Sequence, residues 1–198
     1  ELVDRVGFAH VGELVDRIVE RHGRLDAVVN NAGGAPAADA ATASPRFSTK
    51  IVQLNLLAPL FVAQAANRVM QEQGAGSIVN IASVSGLRPS PGTAAYGAAK
   101  AGLVSLTQSL AVEWAPAVRV NAVSAGMIRT EQAHLHYGDE AGVERVAATV
   151  PLGRLGLPED VGNACVFLAS GLADYISGAN LVLHGGGEPP PFLAAADG

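Results

Sequence analysis

Apolar residues recur along the chain at two spacings, the three-to-four-residue spacing of helices and the unbroken runs of buried strands. Helical spacing predicts a helix over 11–19 that ends at Gly23, a long helix capped by Ser44 or Ser48 that reaches about Gln73, and a helix over 94–114. Pro158 begins a fourth helix. Apolar runs predict strands over 26–30, 77–82, 118–123 and 180–183, with the end of another strand just before Asp4.

The alternation of strands with helices predicts an α/β protein, with one parallel sheet covered by helices on both faces in a three-layer doubly wound fold. The strands are continuously apolar rather than alternating, as expected where both faces are buried. In such sheets ligands bind beyond the carboxyl ends of the strands. Asn30, Ser83 and Ser124 all fall at predicted strand ends. The irregular segment 126–156 predicts a lid over that edge.

Composition narrows the class of function. The 198 residues are 49% hydrophobic, which suits a single domain over 1–198 with a sizeable core. The net charge of −5 without a long basic run makes nucleic acid an unexpected partner. A single cysteine, Cys165, excludes an internal disulfide framework and favours a reducing compartment. Since no apolar run reaches the roughly 18 residues of a membrane span, we expect a soluble cytoplasmic protein.

Tyr96 and Lys100 are four residues apart on a predicted helix and therefore share one face. A cation there is expected to lower the pKa of a phenol from its ordinary value of about 10. Such a phenol exchanges a proton with an alcohol or carbonyl near neutral pH. Ser83 at a strand end, or Ser85 two residues later, would hydrogen-bond the substrate oxygen. The plainer interpretations are a packed tyrosine, a solvated lysine and a serine that caps its own loop.

Asn55 lies four residues before Pro59. Because proline has no N–H, the carbonyl of Asn55 loses its helical donor, and a freed carbonyl in a kinked helix can hold a water molecule. The alternative is a simple proline kink at which Asn55 has no further role.

These residues together carry a family resemblance. Ser83, the Tyr96-Gly-Ala-Ala-Lys100 motif, Asn55 and the Asn30-Asn-Ala-Gly33 turn resemble the short-chain dehydrogenase/reductase family, from about residue 2 to residue 187. The resemblance implies NAD or NADP as cofactor and interconversion of a secondary alcohol and a ketone. It also implies a catalytic set in which the lysine holds the nicotinamide ribose and the asparagine anchors a water relay. That set is Asn55, Ser83, Tyr96 and Lys100.

The resemblance also implies a cofactor-binding set. Asp4 matches the acidic position that touches adenine, Ile128 would present its backbone to the nicotinamide carboxamide, and the Thr130 hydroxyl would meet phosphate. Ala125 replaces the family's proline, which leaves this loop less restricted in φ. The whole set is Asp4, Asn30, Ala32, Gly33, Tyr96, Lys100, Ile128 and Thr130.

One family element has no match. A glycine-rich turn between a first strand and helix normally cradles the pyrophosphate, whereas Gly74-Ala-Gly76 precedes a strand. By the resemblance, residues 1–4 correspond to the third strand. We therefore expect a partial Rossmann fold that lacks the first two strands and helices, with the strand over 27–29 at a sheet edge. The alternative function is a non-catalytic fragment or binding remnant unable to hold the dinucleotide.

The remaining sequence features predict neither a metal site nor a hydrolase site. His134 and His136 are two residues apart, with no cysteine or carboxylate at a metal-ligand spacing, so no metal is expected. The run 184–187 resembles an esterase segment, but a Gly-x-Ser-x-Gly elbow is missing. The helix over 94–114 is apolar nearly all round, which favours a homo-oligomer, a dimer or tetramer. A 3-oxoacyl, steroid, sugar or similar substrate remains open, and so does the choice between NAD and NADP.

Overall fold

The computed structural model describes residues 8–131, 133–190 and 192. Asp4 and the strand predicted before it lie outside the described residues. The helices are α1 (Phe8–His22), α2 (Pro45–Val52), α3 (Ala58–Gln73), α4 (Ala94–Glu113), α5 (His134–Tyr137), α6 (Glu140–Ala147) and α7 (Pro158–Ala169). The strands are β1 (Ala27–Asn30), β2 (Gly76–Ser83), β3 (Val118–Ala125) and β4 (Asn180–Leu183).

All four strands pair in parallel, in the spatial order β1-β2-β3-β4. Asn30 lies opposite Asn80 at the end of β1, and Ser83 lies opposite Ala125 at the ends of β2 and β3. Among the described strands β1 is at the edge, as predicted, and its Val29 is 45% exposed. The register brings the carboxyl ends of β2 and β3 to the same level, where the site is expected.

Neighbouring residues of β2 show that both faces of the sheet are covered. Ile78 belongs to a core cluster with residues of α1, α3 and α4, whereas Val79 packs with Cys165 and Leu168 of α7. Because successive side chains of a strand point to opposite faces, one continuous apolar run supplies both cores. The predicted three-layer parallel architecture is confirmed.

A chain of polar side chains crosses the interior and ties the layers together. Asn30 Nδ2 donates to Asn80 Oδ1 at 2.8 Å and to the carbonyl of Pro59 at 3.2 Å. Asn80 Nδ2 then donates to Thr107 Oγ1 at 2.9 Å, and that hydroxyl donates to the carbonyl of Leu103 at 2.8 Å. Each buried group has a partner, so the chain avoids the penalty of unsatisfied polar atoms and fixes β1 and β2 against α3 and α4.

The long helix predicted from Ser44 or Ser48 is interrupted, which corrects the sequence prediction. Ser44 is the cap, since its hydroxyl accepts from the N–H of Phe47 at 3.2 Å. Between α2 and α3 the chain makes a π-helical turn over Gln53–Leu57, in which the N–H of Ala58 donates to the carbonyl of Gln53. Such wide turns occur where the regular helical hydrogen-bond pattern is broken, and the missing N–H of Pro59 breaks it here.

The strand β2 extends one residue beyond each end of its apolar run, and β3 continues two residues beyond the end of its run. As a result Ser83 is the last residue of β2, and Ser124 lies inside β3. Ser124 is fully buried and donates to Asn180 Oδ1 at 2.8 Å, so it ties β3 to β4 and does not line the crevice. The expectation that Ser124 faces the ligand site is wrong.

Two structural statements hold for the described part of the chain. None of its helices is long and apolar enough to cross a membrane. It contains no group of three or more His, Cys, Asp or Glu side chains close enough to hold a metal ion, and His134 Nδ1 instead lies 3.0 Å from the carbonyl oxygen of Glu131.

Candidate active site

Two glycines set the distance between the end of β2 and the helix α4. A Cβ atom at Gly86 would lie 2.6 Å from the backbone nitrogen of Ala101, and one at Gly97 would lie 2.7 Å from the carbonyl oxygen of Ser85. No side chain fits between backbones this close. The turn Val84–Gly86 that follows β2 therefore rests directly on the first turns of α4. The sequence analysis missed both glycines, although they flank the Ser83 and Tyr96 positions.

This contact brings Ser83 to Tyr96. The Ser83 hydroxyl hydrogen-bonds the Tyr96 phenol and also accepts from the N–H of Ser85 at 3.1 Å. The loop-capping and the site-facing interpretations of Ser83 therefore both hold. Burial raises the pKa of Tyr96 above its ordinary value of 10.0, and the hydrogen bond from Ser83 opposes that rise. The lowered pKa expected from Lys100 is thus not found, because loss of water around the phenol dominates.

Lys100 lies beneath the ring of Tyr96. Its Nζ is 5.7 Å from the ring centroid, so the two side chains share a face as their spacing predicts. The residue is only 3% exposed, and Nζ donates to the carbonyl of Ile81 at 2.7 Å. Burial lowers the pKa of Lys100 from 10.5 to about 8, because the ammonium loses hydration. It is not a solvated surface lysine.

Asn55 is fully buried at the π-helical turn, and its side-chain amide holds the loop after β1. Oδ1 accepts from the N–H of Gly34 at 2.9 Å, while Nδ2 donates to the carbonyls of Gly34 and Ile51, each at 2.9 Å. The sequence analysis considered only the carbonyl of Asn55 and missed this clamp. The clamp places the end of the Asn-Asn-Ala-Gly turn against Lys100.

Gly33 is the point where that turn meets the site. A Cβ atom at Gly33 would lie 2.7 Å from Asn55 Oδ1 and 3.2 Å from Lys100 Nζ. A larger residue would thus occupy the space of the amide and the ammonium. Ala32 and Gly33 are themselves exposed, so their backbone is accessible at the carboxyl end of β1. Asn30 is different, since its side chain is buried in the polar chain described above.

Ile128 and Thr130 follow β3 at the same sheet edge. Ile128 forms a parallel bridge with Gly156, made by hydrogen bonds from Arg129 N to Gly156 O at 2.8 Å and from Gly156 N to Met127 O at 3.0 Å. These bonds use neighbouring groups and leave the N–H of Ile128 outside the bridge. Thr130 is exposed. The structure thus gathers Gly33, Asn55, Ser83, Tyr96 and Lys100 and sets Ile128 and Thr130 beyond β3, while Asp4 lies outside the described residues.

The glycine run after β4 packs against residues 150–152. Gly185 and Gly186 have positive φ angles of 65° and 101°, and Cβ atoms there would lie 2.6 Å from Val150 Cγ1 and 2.8 Å from Pro151 Cβ. The N–H of Leu152 donates to the carbonyl of Gly185 at 3.0 Å. The esterase-like run therefore provides a surface on which residues 150–152 pack, within the segment predicted to be a lid.

Comparisons with known proteins agree with this architecture. Residues 4–188 match the family described as Enoyl-(Acyl carrier protein) reductase. The chain is 39% identical over 178 residues to a 3alpha-hydroxysteroid dehydrogenase of Mediterraneibacter gnavus, a match that covers 89% of the chain and 70% of the relative. It is 41% identical over 176 residues to an L-rhamnose 1-dehydrogenase (NAD(P)(+)) of Azotobacter vinelandii, covering 88% and 69%.

The fold also matches solved structures. The structure of ElxO with NADP bound superposes with a TM-score of 0.85 at 32% identity, over 94% of this chain and 75% of that one. Sequence, fold and the arrangement of Ser83, Tyr96 and Lys100 point in the same direction. The chain belongs to the short-chain dehydrogenase/reductase family of oxidoreductases.

Proposed function

We propose that the protein is an NAD(P)-dependent oxidoreductase that interconverts a secondary alcohol and a ketone, with Tyr96 as the acid and base. The observation that carries the proposal is the cluster itself: a largely buried phenol, hydrogen-bonded by Ser83, with the Lys100 ammonium 5.7 Å from its ring. The relatives support the reaction class, since they are named as a hydroxysteroid dehydrogenase and a rhamnose dehydrogenase.

The protein's own side chains transfer one proton between Tyr96 and the substrate oxygen. In ketone reduction Tyr96 donates its phenolic proton to the carbonyl oxygen, while Ser83 hydrogen-bonds that oxygen and holds it toward the phenol. Since burial raises the pKa of Tyr96, the phenol is protonated at neutral pH and ready to donate. In the opposite direction Tyr96 accepts the proton from the alcohol. The charge of Lys100 then stabilises the tyrosinate that precedes this transfer.

The cofactor, when bound, supplies or accepts the hydride at the reacting carbon. Lys100 fits its nicotinamide ribose, because the buried ammonium uses one of its three N–H groups on Ile81 and has donors left for hydroxyl groups. The exposed Ala32–Gly33 backbone and the N–H of Ile128 complete the part of the cofactor-binding set that the structure describes, together with Asn30 and Thr130. We include Asp4 in the set by the family resemblance.

The proposal treats residues 1–198 as a single partial NAD(P)-binding domain in which the segment 126–156 is the lid. It also includes self-association as a dimer or tetramer. Small residues at one exposed face of α4, Ala94, Ala98, Ala101 and Ser105, would allow close approach of a second helix. Light scattering on the purified chain measures that assembly state directly.

The test is oxidation of NADPH and NADH with a panel of neutral ketones, comparing wild type with Tyr96→Phe. Loss of the proton donor is expected to lower kcat by about a hundredfold or more. Tyr175→Phe is the matched control, because Tyr175 is fully exposed and its hydroxyl lies on the surface. Equal turnover in wild type and Tyr96→Phe would contradict the catalytic role. Absence of both turnover and dinucleotide binding would instead favour the non-catalytic alternative.

A further inference from the structure

A cavity of about 480 Å³ opens beside the catalytic serine. Val84, the residue after Ser83, lines one side, and Gly126, the residue after Ala125, lines another. Ser83 and Ala125 face each other across β2 and β3, so the cavity begins where both strands end. The remaining side comes from the chain at and after β4. Its volume falls within the usual range for small-molecule sites.

The walls of this cavity are mostly apolar. Leu87 and Val182 are 47% and 39% exposed, so hydrophobic surface remains open there. An apolar ligand body would bury that surface and gain roughly 25 cal/mol for each Å² removed from water. The apolar lining residues are Val84, Leu87, Met127, Val182, Pro189 and Pro190.

Two charged residues line the cavity, and they are paired with each other. Arg88 Nη2 lies 2.6 Å from Glu188 Oε1, although the residues are 100 positions apart in the chain. Arg88 Nη1 also donates to the carbonyl of Pro89 at 3.0 Å. Both side chains are 41% exposed, so the pair faces solvent as well as the cavity. Glu188 therefore satisfies the guanidinium group that an anionic ligand would otherwise find available.

The pair lies within electrostatic reach of the reaction centre. The pKa of Tyr137, on α5, is raised first by burial, then by Glu188, and also by Tyr96, while Arg88 opposes the rise. The pKa of Tyr137 therefore depends on the charges of the ion pair and of the catalytic tyrosine. A change in charge at Arg88 or Glu188 would be felt by a ligand held between them and Tyr96.

We propose that Glu188 sets the charge selectivity of the site, so that the substrate is a neutral, largely apolar ketone or secondary alcohol. The inference rests on the proposed function and deepens it. Glu188 holds Arg88 in a pair of zero net charge and excludes substrates that carry a carboxylate, because such a group would meet the Glu188 carboxylate. Removal of the Glu188 charge leaves Arg88 as a receptor for a carboxylate, in the fork geometry that guanidinium and carboxylate groups prefer.

The test compares two probes with the same ketone skeleton, methyl 4-acetylbenzoate and 4-acetylbenzoate. They are measured as substrates with NADPH and, separately, as ligands by calorimetric titration in the presence of NADP⁺, which has no hydride to transfer. Wild type is expected to favour the neutral ester. Glu188→Gln is expected to shift the ratio toward the carboxylate by about fivefold, the upper end of what one solvent-exposed, charge-assisted hydrogen bond contributes. The double variant with Arg88→Met should lose that shift.

Glu140→Gln is the matched control, since Glu140 forms a similar exposed pair with Arg129, at 2.7 Å, outside the cavity. Its selectivity ratio should equal that of wild type. A ratio in Glu188→Gln within about twofold of wild type would overturn the proposal, being below the effect expected of one such bond. Because the titration reads selectivity without turnover, a lack of turnover alone contradicts the proposed reaction and leaves the charge selectivity to be decided by binding.

Discussion

The two sides of the site are built by different means. The catalytic wall, formed by β2, the turn Val84–Gly86 and α4, is joined by backbone-to-backbone contact at Gly86 and Gly97. The substrate wall, formed by residues 126–156 and 184–190, also has close glycine contacts, but those of Gly185 and Gly186 meet side chains, and its surface carries exposed ion pairs such as Arg88–Glu188 and Arg129–Glu140. Its own apolar cluster is small and centres on three buried side chains, Val143, Val150 and Leu155.

This difference in construction separates the residues proposed to carry out the reaction from the residues proposed to select the substrate. A close backbone contact admits no adjustment, because interiors are densely packed and any added atom displaces a neighbour. An exposed ion pair contributes only about 0–1 kcal/mol and can be exchanged without loss of the fold. The catalytic wall therefore fixes the positions of Ser83 and Tyr96, whereas the ion pairs of the substrate wall can be exchanged, which under the proposed function would change which ketone is accepted.

The largest effect is expected when a methyl group is added at Gly86, between the turn Val84–Gly86 and the helix α4. Gly86→Ala places a Cβ atom 2.6 Å from the backbone nitrogen of Ala101, so the turn must move away from α4. Overpacking of this kind costs about 1–3 kcal/mol of stability. Movement of Ser83 away from Tyr96 should lower kcat by about a hundredfold. Chemical denaturation and the ketone assay measure the two effects.

Gly162→Ala on α7 is the control for this change. A Cβ atom at Gly162 meets nothing within 4 Å, so the same methyl group is accommodated there. The control should be about 0.5–1 kcal/mol more stable than wild type, because alanine is a better helix former than glycine. If Gly86→Ala kept full kcat, the backbone contact would not be what positions the serine.

A smaller and more selective effect is expected at Gly33. The added Cβ of Gly33→Ala would lie 2.7 Å from Asn55 Oδ1 and 3.2 Å from Lys100 Nζ, so both polar groups must shift. We expect kcat to fall by about 10- to 100-fold, because a small misplacement of catalytic groups is costly. The Tm should also fall, because the displaced Asn55 amide is buried and hydrogen-bonded to Gly34 and Ile51, but by less than in Gly86→Ala, where backbone must move.

Gly12→Ala in α1 provides the comparison for Gly33→Ala, because its Cβ position is open. Its kcat should equal that of wild type. A loss of Tm in Gly33→Ala without a loss of kcat would show that the turn only stabilises the sheet.

Local patterns were sufficient to predict the architecture and the grouping of the site. The strand runs predicted the parallel sheet, and the four-residue spacing placed Lys100 under Tyr96. Both depend on periodicities that the backbone imposes within a few residues. The same reasoning overestimated the continuity of the helix before Asn55, because the effect of Pro59 appeared as a π-helical turn rather than a kink.

What the sequence could not provide depends on distant contacts. The burial of Ser124 against Asn180 and the pairing of Arg88 with Glu188 join residues 56 and 100 positions apart. The sign of the pKa shift of Tyr96 likewise depends on how much water the fold removes, which no spacing records. Motifs predict which groups meet, whereas burial decides how they ionise.

The smallest of the expected effects is a pH dependence of stability that arises in the catalytic wall and not in the substrate wall. The folded-state pKa of Lys100 is about 8, below its ordinary value of 10.5, so between these values the unfolded chain binds one more proton than the folded one. Stability should therefore rise with pH through this window. From pH 8 to pH 9.5 the gain is about 1–2 kcal/mol, at 1.36 kcal/mol per pH unit. Below pH 8 this contribution is flat, because both states are protonated.

The measurement is the free energy of unfolding by urea at several pH values, for wild type and Lys100→Met. Relative to Lys100→Met, which has no ammonium to desolvate, wild type should gain stability over this window. The raised pKa of Cys165 acts in the opposite direction, but it is present in both proteins and cancels in the comparison. Glu140→Gln should keep the gain, because an exposed pair on the substrate wall does not alter the burial of Lys100. Parallel curves for wild type and Lys100→Met would mean that the ammonium keeps its hydration. The contrast between a dry catalytic wall and a solvated substrate wall would then fail.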